Sequence, residues 1–345
     1  MQQLTCVGPG TIEWTEVPEP DLVEPDDVLV RPVAVARCEI DPLIVLVGPR
    51  AGDTGFALGH EAVAEVAAVG EAVTHLRVGD LVLPSFQVSC GTCPSCRAGH
   101  TANCERYPVL SDYGMQPLSG TEYGGMLSDL VRVPHAAAML QRLPAGLDPV
   151  ALASVPDNVI DGYRGVAPHL AARPGADVLV VIHGNPSIGL YAALSAVALG
   201  AGSVTVESDA DAVLERAEAI GATPVRSDFG RRNAQYPIVV DCGLHEQVLA
   251  YSISCTEPEG TCQSISYYTS GATPVPMGRM YTLGIRFFVG RAHSAALLPE
   301  VVALVQAGRL APELVTTMVV DWADAAEAYL SDTIKLVVHR EPALG

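Results

Sequence analysis

Along the first 150 residues the chain runs in short apolar alternations separated by turn residues. Examples are "DDVLVRPVAVA" (26–36) and "AVAEVAAVG" (62–70), rich in valine and broken by proline and glycine. This grammar predicts many short strands and hence a β-rich unit. Around "RPGADVLVV" (173–181) it changes. The buried-type runs "DVLVVI" (177–182), "SVTVE" (203–207) and "IVVDCG" (238–243) alternate with helical stretches, "SIGLYAALSAVALGA" (187–201) and "DADAVLERAEAIGA" (209–222). That is the pattern of a parallel sheet covered by helices. A further helical stretch, "AALLPEVVALVQAGRL" (295–310), and a last strand-like run, "TIKLVVH" (333–339), complete the chain, with no internal repeat.

The 345 residues suffice for two domains, each with its own core. Hydrophobic residues make up 49% and charged residues 17%, which excludes a disordered or fibrous chain. No apolar run reaches the roughly 18 residues of a membrane span, and "MQQLTCVGPG" lacks a signal-peptide pattern, so a soluble cytoplasmic protein is expected. The net charge of −19 disfavours nucleic acid and anionic membranes as partners. In so acidic a chain, an anionic ligand must be held by local donors such as amide groups at a helix start.

Nine cysteines without a signal peptide make a disulfide framework improbable. Four of them, Cys90, Cys93, Cys96 and Cys104, form C-x2-C-x2-C-x7-C in "SCGTCPSCRAGHTANC". This spacing lets a short loop wrap four thiolates around one tetrahedral zinc ion, leaving no place for water and so predicting a structural site. A second, open site is suggested by Cys38 in "VARCEID" and by His60 with Glu61 in "LGHEAV". One thiolate and one imidazole do not fill a zinc shell, so a third ligand must come from afar, and Asp157 in "SVPDNVIDGYRG" is the best candidate. Read alone, His60 could instead be a core histidine and Asp157 a helix cap.

The stretch "VVIHGNPSIGLYAA" (180–193) resembles a dinucleotide turn with one fault. Gly184 serves the tight bend and Gly189 close helix packing, but Pro186 stands where the middle glycine belongs. Proline suits the first turn of a helix, so the N–H groups of Ser187 and Ile188, with the Ser187 hydroxyl, can still face a phosphate. A purely structural turn would read the same way. Glu207, at the end of the next strand, stands where a carboxylate grips the adenosine ribose and repels a 2′-phosphate. Asp209 and Asp211 deepen that negative field, so NAD(H) is expected over NADP(H).

Taken together, "GTIEWTEVPEP", "GHEAVAEVAAVG", "RVGDLV", the four-cysteine lobe, the nucleotide turn and the closing "KLVV" resemble the zinc-dependent medium-chain alcohol dehydrogenases over nearly the whole chain. The run "PDNVIDGYRG" is most similar to the bacterial secondary alcohol dehydrogenases. The resemblance implies an α/β protein with two parts. A GroES-like β-rich catalytic domain spans 1–159 and 299–345, with a structural zinc lobe at about 88–106, and a Rossmann domain with a doubly wound parallel sheet spans 160–298. It also implies two Zn2+ per chain, the catalytic one held by Cys38, His60 and Asp157 with Glu61 as an adjacent carboxylate. Lys335, the single lysine, falls where a basic residue reaches the cofactor pyrophosphate. The expected activity is interconversion of an alcohol and a carbonyl on a small-molecule substrate, by a homodimer or homotetramer with "RMYTLGIRFFVG" (279–290) as a candidate edge. Reduction of an imine or activated alkene, or a non-catalytic zinc protein, are the alternatives.

Some positions depart from the family pattern. Ile40 and Leu43 stand where relatives keep a Ser or Thr and a His that relay the alcohol proton to solvent, so the relay is absent and a specialised substrate is expected. Asp41 takes a place usually given to structure. Glu39 stands where relatives keep a basic or neutral residue near the cofactor phosphates, and two like charges about 4 Å apart cost roughly 1 kcal/mol in water.

Overall fold

The computed structural model describes all residues except 117, 119, 120, 233, 269, 270, 344 and 345. The chain forms two compact units. The first comprises Met1–Ile160, His293–Ala307 and Thr316–Gly345, and the second Asp161–Ala292 and Gly308–Val315.

The first unit is built from short strands, as the valine-rich alternation predicts. A seven-stranded sheet runs in the order Leu140–Arg142, Leu81–Pro84, Glu61–Val69, Val28–Ala36, Leu336–His339 and Met318–Asp321, with Val131–Val133 also paired to Val28–Ala36. A three-stranded sheet joins Thr11–Glu16, Gln2–Gly8 and Phe56–Ala57. Inward residues of both sheets, among them Leu4, Val30, Phe56, Val66 and Met126, form one core. Strand register brings three chemically active side chains to one place. Ala36 pairs with Glu61 in an antiparallel ladder, and Ala36 also pairs with Val337 on its other side. The residues just beyond these pairs, Cys38, His60 and Lys335, therefore emerge together at one end of three neighbouring strands.

The second unit is the predicted parallel sheet. Its strands run in the order Thr223–Arg226, Val204–Ser208, Val178–His183, Tyr236–Gly243, Thr256–Ser264 and Arg286–Phe288, all parallel. The helices Pro186–Ala198, Asp211–Ala219 and Glu246–Ser254 pack on it. The expected α/β architecture, a GroES-like unit and a Rossmann unit, is the one observed. Among the described residues no helix is long and apolar enough to cross a membrane.

Candidate functional site

Cys38 leaves the strand Val28–Ala36 just before the helix Ile40–Val47, and His60 immediately precedes the strand Glu61–Val69. The third partner arrives from 97 residues further on, through a single turn of π-helix at Val155–Val159. Its wide i→i+5 closure, Val159 N to Ser154 O at 3.1 Å, turns both Asp157 and Asn158 inward. The Ser294 hydroxyl holds this turn from outside by donating to the Pro156 carbonyl at 2.5 Å.

One potential ligand atom each from Cys38, His60, Glu61 and Asp157 lies within 4.8 Å of the others, and all four residues are buried. Their electrostatics call for a cation. Burial, then the charge of Asp157, pushes the Cys38 thiol well above its ordinary range. Burial also raises the Glu61 carboxyl, with Lys335 opposing and Asp157 adding to the rise. Burial lowers the His60 pKa, but Asp41 and Asp157 outweigh it and hold the imidazole well above its usual value. A divalent ion reverses the cost of each negative charge, since a thiolate, an imidazole and a carboxylate are the donors Zn2+ takes, and a thiolate with a carboxylate neutralise it.

Three further side chains orient this group, none of them singled out as a site residue by sequence. Asp41 accepts the Cys38 backbone N–H at 2.9 Å, and its other oxygen lies 3.4 Å from His60 Nδ1, on the side of the ring opposite Nε2, which is 3.3 Å from Asp157. Asn158 donates its amide to Cys38 Sγ and to Asp157 Oδ2, both at 3.1 Å, and accepts from Lys335. Arg37 donates to the carbonyls of Tyr329, Ser331 and Thr333, tying the segment before Lys335 to the strand that leads to Cys38. A signal for Asn158 was present in its adjacency to Asp157. Nothing in the sequence distinguishes Arg37.

The cysteine lobe is a second cluster. One sulfur atom from each of Cys90, Cys93, Cys96 and Cys104 falls within 4.8 Å of the rest, and Cys93 and Cys104 are 4.0 Å apart. Four thiolates about 2.3 Å from a tetrahedral zinc stand roughly 3.8 Å apart, so the spacing fits. Backbone N–H groups of Cys93, Cys96 and Glu105 point at the sulfurs. Burial raises Cys90, but bonds from Thr92 and Cys93 outweigh it and bring its pKa down to about 6, whereas burial and its neighbouring thiols push Cys96 up to about 12.

In the second unit Gly184 has φ +96°, which a side chain would strain, and a Cβ on Gly189 would lie 2.6 Å from Ile182. Pro186 opens the 13-residue helix Pro186–Ala198, and Asn185 makes no side-chain cap to it. This helix start fits a phosphate group, with the amides of Ser187 and Ile188 in its first turn. The Ser187 side chain is buried, so its hydroxyl is not the exposed donor expected from sequence.

Two sequence-based expectations need correction. Lys335 was expected at a pyrophosphate, but it is wholly buried in the first unit. Its Nζ donates to both Glu61 oxygens at 3.0 and 2.9 Å, to the Arg37 carbonyl at 2.9 Å and to Asn158. Its place one residue before a central strand puts it beneath the metal ligands. Glu207 was expected at the ribose but is 1% exposed, and its Oε2 accepts the Tyr251 hydroxyl at 2.5 Å. It lies within the strand rather than at its tip, and the alternation of strand faces sends it into the layer occupied by Tyr251.

Comparison with known proteins is consistent with this geometry. The family model described as alcohol dehydrogenase GroES-like domain matches residues 24–145. The chain is similar to a probable zinc-binding alcohol dehydrogenase of Mycobacterium tuberculosis, at 28% identity over 95% of this chain and 84% of the other. It is 32% identical to the medium chain reductase/dehydrogenase ucsI of an Acremonium species, over 65% of this chain and 75% of that one. Among solved structures, the alcohol dehydrogenase TADH from Thermus sp. ATN1 superposes with a TM-score of 0.90 at 27% identity, covering 98% of this chain and 99% of that one.

Proposed function

Because the chain belongs to the zinc-dependent alcohol dehydrogenases of the medium-chain dehydrogenase/reductase family, we propose that it interconverts an alcohol and a carbonyl compound with NAD(H), using zinc held by Cys38, His60 and Asp157. The observation that carries this reading is the buried convergence of those three residues and Glu61 within 4.8 Å. In this reading the zinc supplies Lewis-acid polarisation of the substrate oxygen, and the nicotinamide supplies the hydride chemistry. The chain's own residues do the rest. Asp41 and Asn158 fix the ligand side chains, Lys335 balances Glu61, and the amide end of the helix Pro186–Ala198 takes the cofactor phosphates. A second zinc sits in the cysteine lobe. NAD(H) is favoured over NADP(H) because the carboxylates of Asp209 and Asp211 crowd the end of the strand Val204–Ser208.

Metal analysis and cofactor titration test this together. We expect two zinc ions per chain, quenching of protein fluorescence by NADH, and turnover of a secondary alcohol or its ketone. One zinc per chain would leave only the cysteine lobe filled, and no NADH binding at millimolar concentration would overturn the reading.

The proton relay is missing in the form the sequence suggests. Ile40 opens the helix Ile40–Val47 and packs partly on the core, while Leu43, one turn later, is 49% exposed. Neither side chain carries a proton. General acid–base help is worth about 10² to 10⁴-fold, so its absence moderates rather than abolishes turnover and points to a specialised substrate. The double replacement Ile40→Ser with Leu43→His should change the pH–rate profile on a simple alcohol. An unaltered profile would count against a lost relay.

We also place a subunit contact on the edge strand Arg286–Phe288. It is the last strand of its sheet, and Tyr281, Phe288 and Val289 nearby are exposed apolar residues. Light scattering should report a dimer or tetramer, and a monomer at micromolar concentration would rule the contact out.

A further inference from the structure

The start of the helix Ser294–Gln306 is fastened to two places that the chemistry proposed above treats separately, the cysteine lobe and the π-turn that carries Asp157. His293 stands in the capping position of this helix but makes no side-chain cap to it. Its Nδ1 instead accepts the backbone N–H of Ala102 at 3.2 Å. A ring nitrogen that accepts leaves the proton of a neutral imidazole on the other one, here Nε2. Ala102 lies in the short turn Thr101–Asn103, inside the loop that joins Cys96 to Cys104. His100, in the same loop, places its ring 5.4 Å from the His293 ring between centroids. The first residue before the helix is therefore committed to the lobe.

The next residue is committed to the metal-ligand cluster. Ser294 is wholly buried, and its hydroxyl donates to the carbonyl of Pro156, the residue before Asp157. Its backbone N–H donates to Gln87 Oε1 at 3.2 Å. Gln87 is itself buried and follows Phe86, whose ring lies 5.8 Å from the His60 ring. There is little slack along this path. Proline holds φ of Pro156 nearly fixed, and the turn is closed from Val159 N to Ser154 O, so a shift of the Pro156 carbonyl carries the Asp157 carboxylate with it. Two adjacent residues thus link the loop between Cys96 and Cys104 to a ligand of the other cluster.

We propose that His293 and Ser294 are positioning residues that couple the two clusters, so that Cys38, His60 and Asp157 hold their metal most tightly when the cysteine lobe is filled. The proposal rests on the zinc reading of both clusters. An ion in the lobe draws four sulfurs together and fixes the loop from Cys96 to Cys104; without it that loop, and Ala102 with it, is released. The His293–Ala102 bond passes this change to the helix start, and Ser294 passes it to Pro156. Hydrogen bonds that support a metal ligand from outside are worth about ten to a hundredfold in metal affinity. Coupling between two binding sites is reciprocal, so a metal at the Asp157 cluster also tightens the lobe. The lobe, which touches no substrate in the proposed reaction, thereby governs how firmly the reactive metal is kept.

Cobalt(II) binding to the full chain is the test, because its absorption bands distinguish a four-thiolate site from a one-thiolate site and give each its own dissociation constant. Ser294→Ala removes only the hydroxyl, and should weaken cobalt at the one-thiolate site about ten to a hundredfold while the lobe stays within about threefold. Ser294→Thr, which keeps a hydroxyl, should recover most of that loss. His293→Phe keeps a ring beside His100 but removes the acceptor. In the parent, disabling the lobe by Cys93→Ser with Cys104→Ser should weaken the one-thiolate site about tenfold or more, whereas in His293→Phe the same change should matter less than about threefold. His293→Asn, with an acceptor oxygen near the place of Nδ1, should restore the dependence. A one-thiolate site within about twofold of the parent in Ser294→Ala, or undiminished dependence on the lobe in His293→Phe, would overturn the coupling. If the lobe-disabled chain does not fold, the Ser294 variants decide, and a Ser294→Thr variant as weak as Ser294→Ala overturns it. A parent that shows only the four-thiolate spectrum would sink the zinc reading itself, an outcome distinct from two bound cobalt ions that ignore each other.

Discussion

Replacing Lys335 with methionine is expected to lower the stability of the protein by about 3–5 kcal/mol, the usual cost of removing one partner of a buried ion pair. The ammonium group is wholly enclosed and supplies hydrogen bonds to both oxygens of Glu61, to the Arg37 carbonyl and to Asn158. Methionine fills similar space but leaves a buried carboxylate with no counter-charge and a buried carbonyl with one donor fewer. Pairing the change with Glu61→Gln removes that stranded charge, so the double variant should recover most of the loss. Urea unfolding of the single and double variants measures both steps. A single variant within about 1 kcal/mol of the parent, or a double variant as unstable as the single, would show that the Lys335–Glu61 pair does not carry this energy.

Asp157→Ala is expected to have the largest effect on activity. If Asp157 is a zinc ligand, its loss should take the zinc content from two ions per chain to one. Polarisation of the substrate oxygen by a metal is worth several kcal/mol, so kcat/KM should fall about a thousandfold or more. A variant that keeps two zinc ions and full turnover would remove Asp157 from the ligand set. One that loses activity with its zinc intact would give it a different part in catalysis.

The sequence offered the candidate site more readily than its supports. Cys38 and His60 stood out as a thiolate and an imidazole that leave a zinc shell incomplete, Asp157 was the best candidate to fill it, and the family resemblance joined the three, whereas the cysteine lobe stood out by its short spacing. The strands Val28–Ala36, Glu61–Val69 and Val178–His183 were visible as valine-rich runs. Thr256–Ser264, with the residues TEPEGTCQS, was not, because it has almost no apolar run and is held by pairing with strands on both sides. Lys335 and Glu207 were misplaced for a related reason. A residue's strand can be read from local pattern, but the layer its side chain enters depends on partners such as Asn158 and Tyr251, far away in sequence.

The delivery of Cys38, His60 and Lys335 by three hydrogen-bonded strands has a consequence for how such a protein can change. Their mutual spacing is locked by the ladders that pair Ala36 with Glu61 and with Val337, not by the loops that join the strands. Lengthening or rewriting the connection at residues 48–55 leaves that frame untouched, whereas one residue inserted within either ladder would turn His60 or Lys335 to the opposite face. The chain thus separates a buried cluster of potential metal ligands whose frame tolerates almost no insertion from a connecting loop outside that frame.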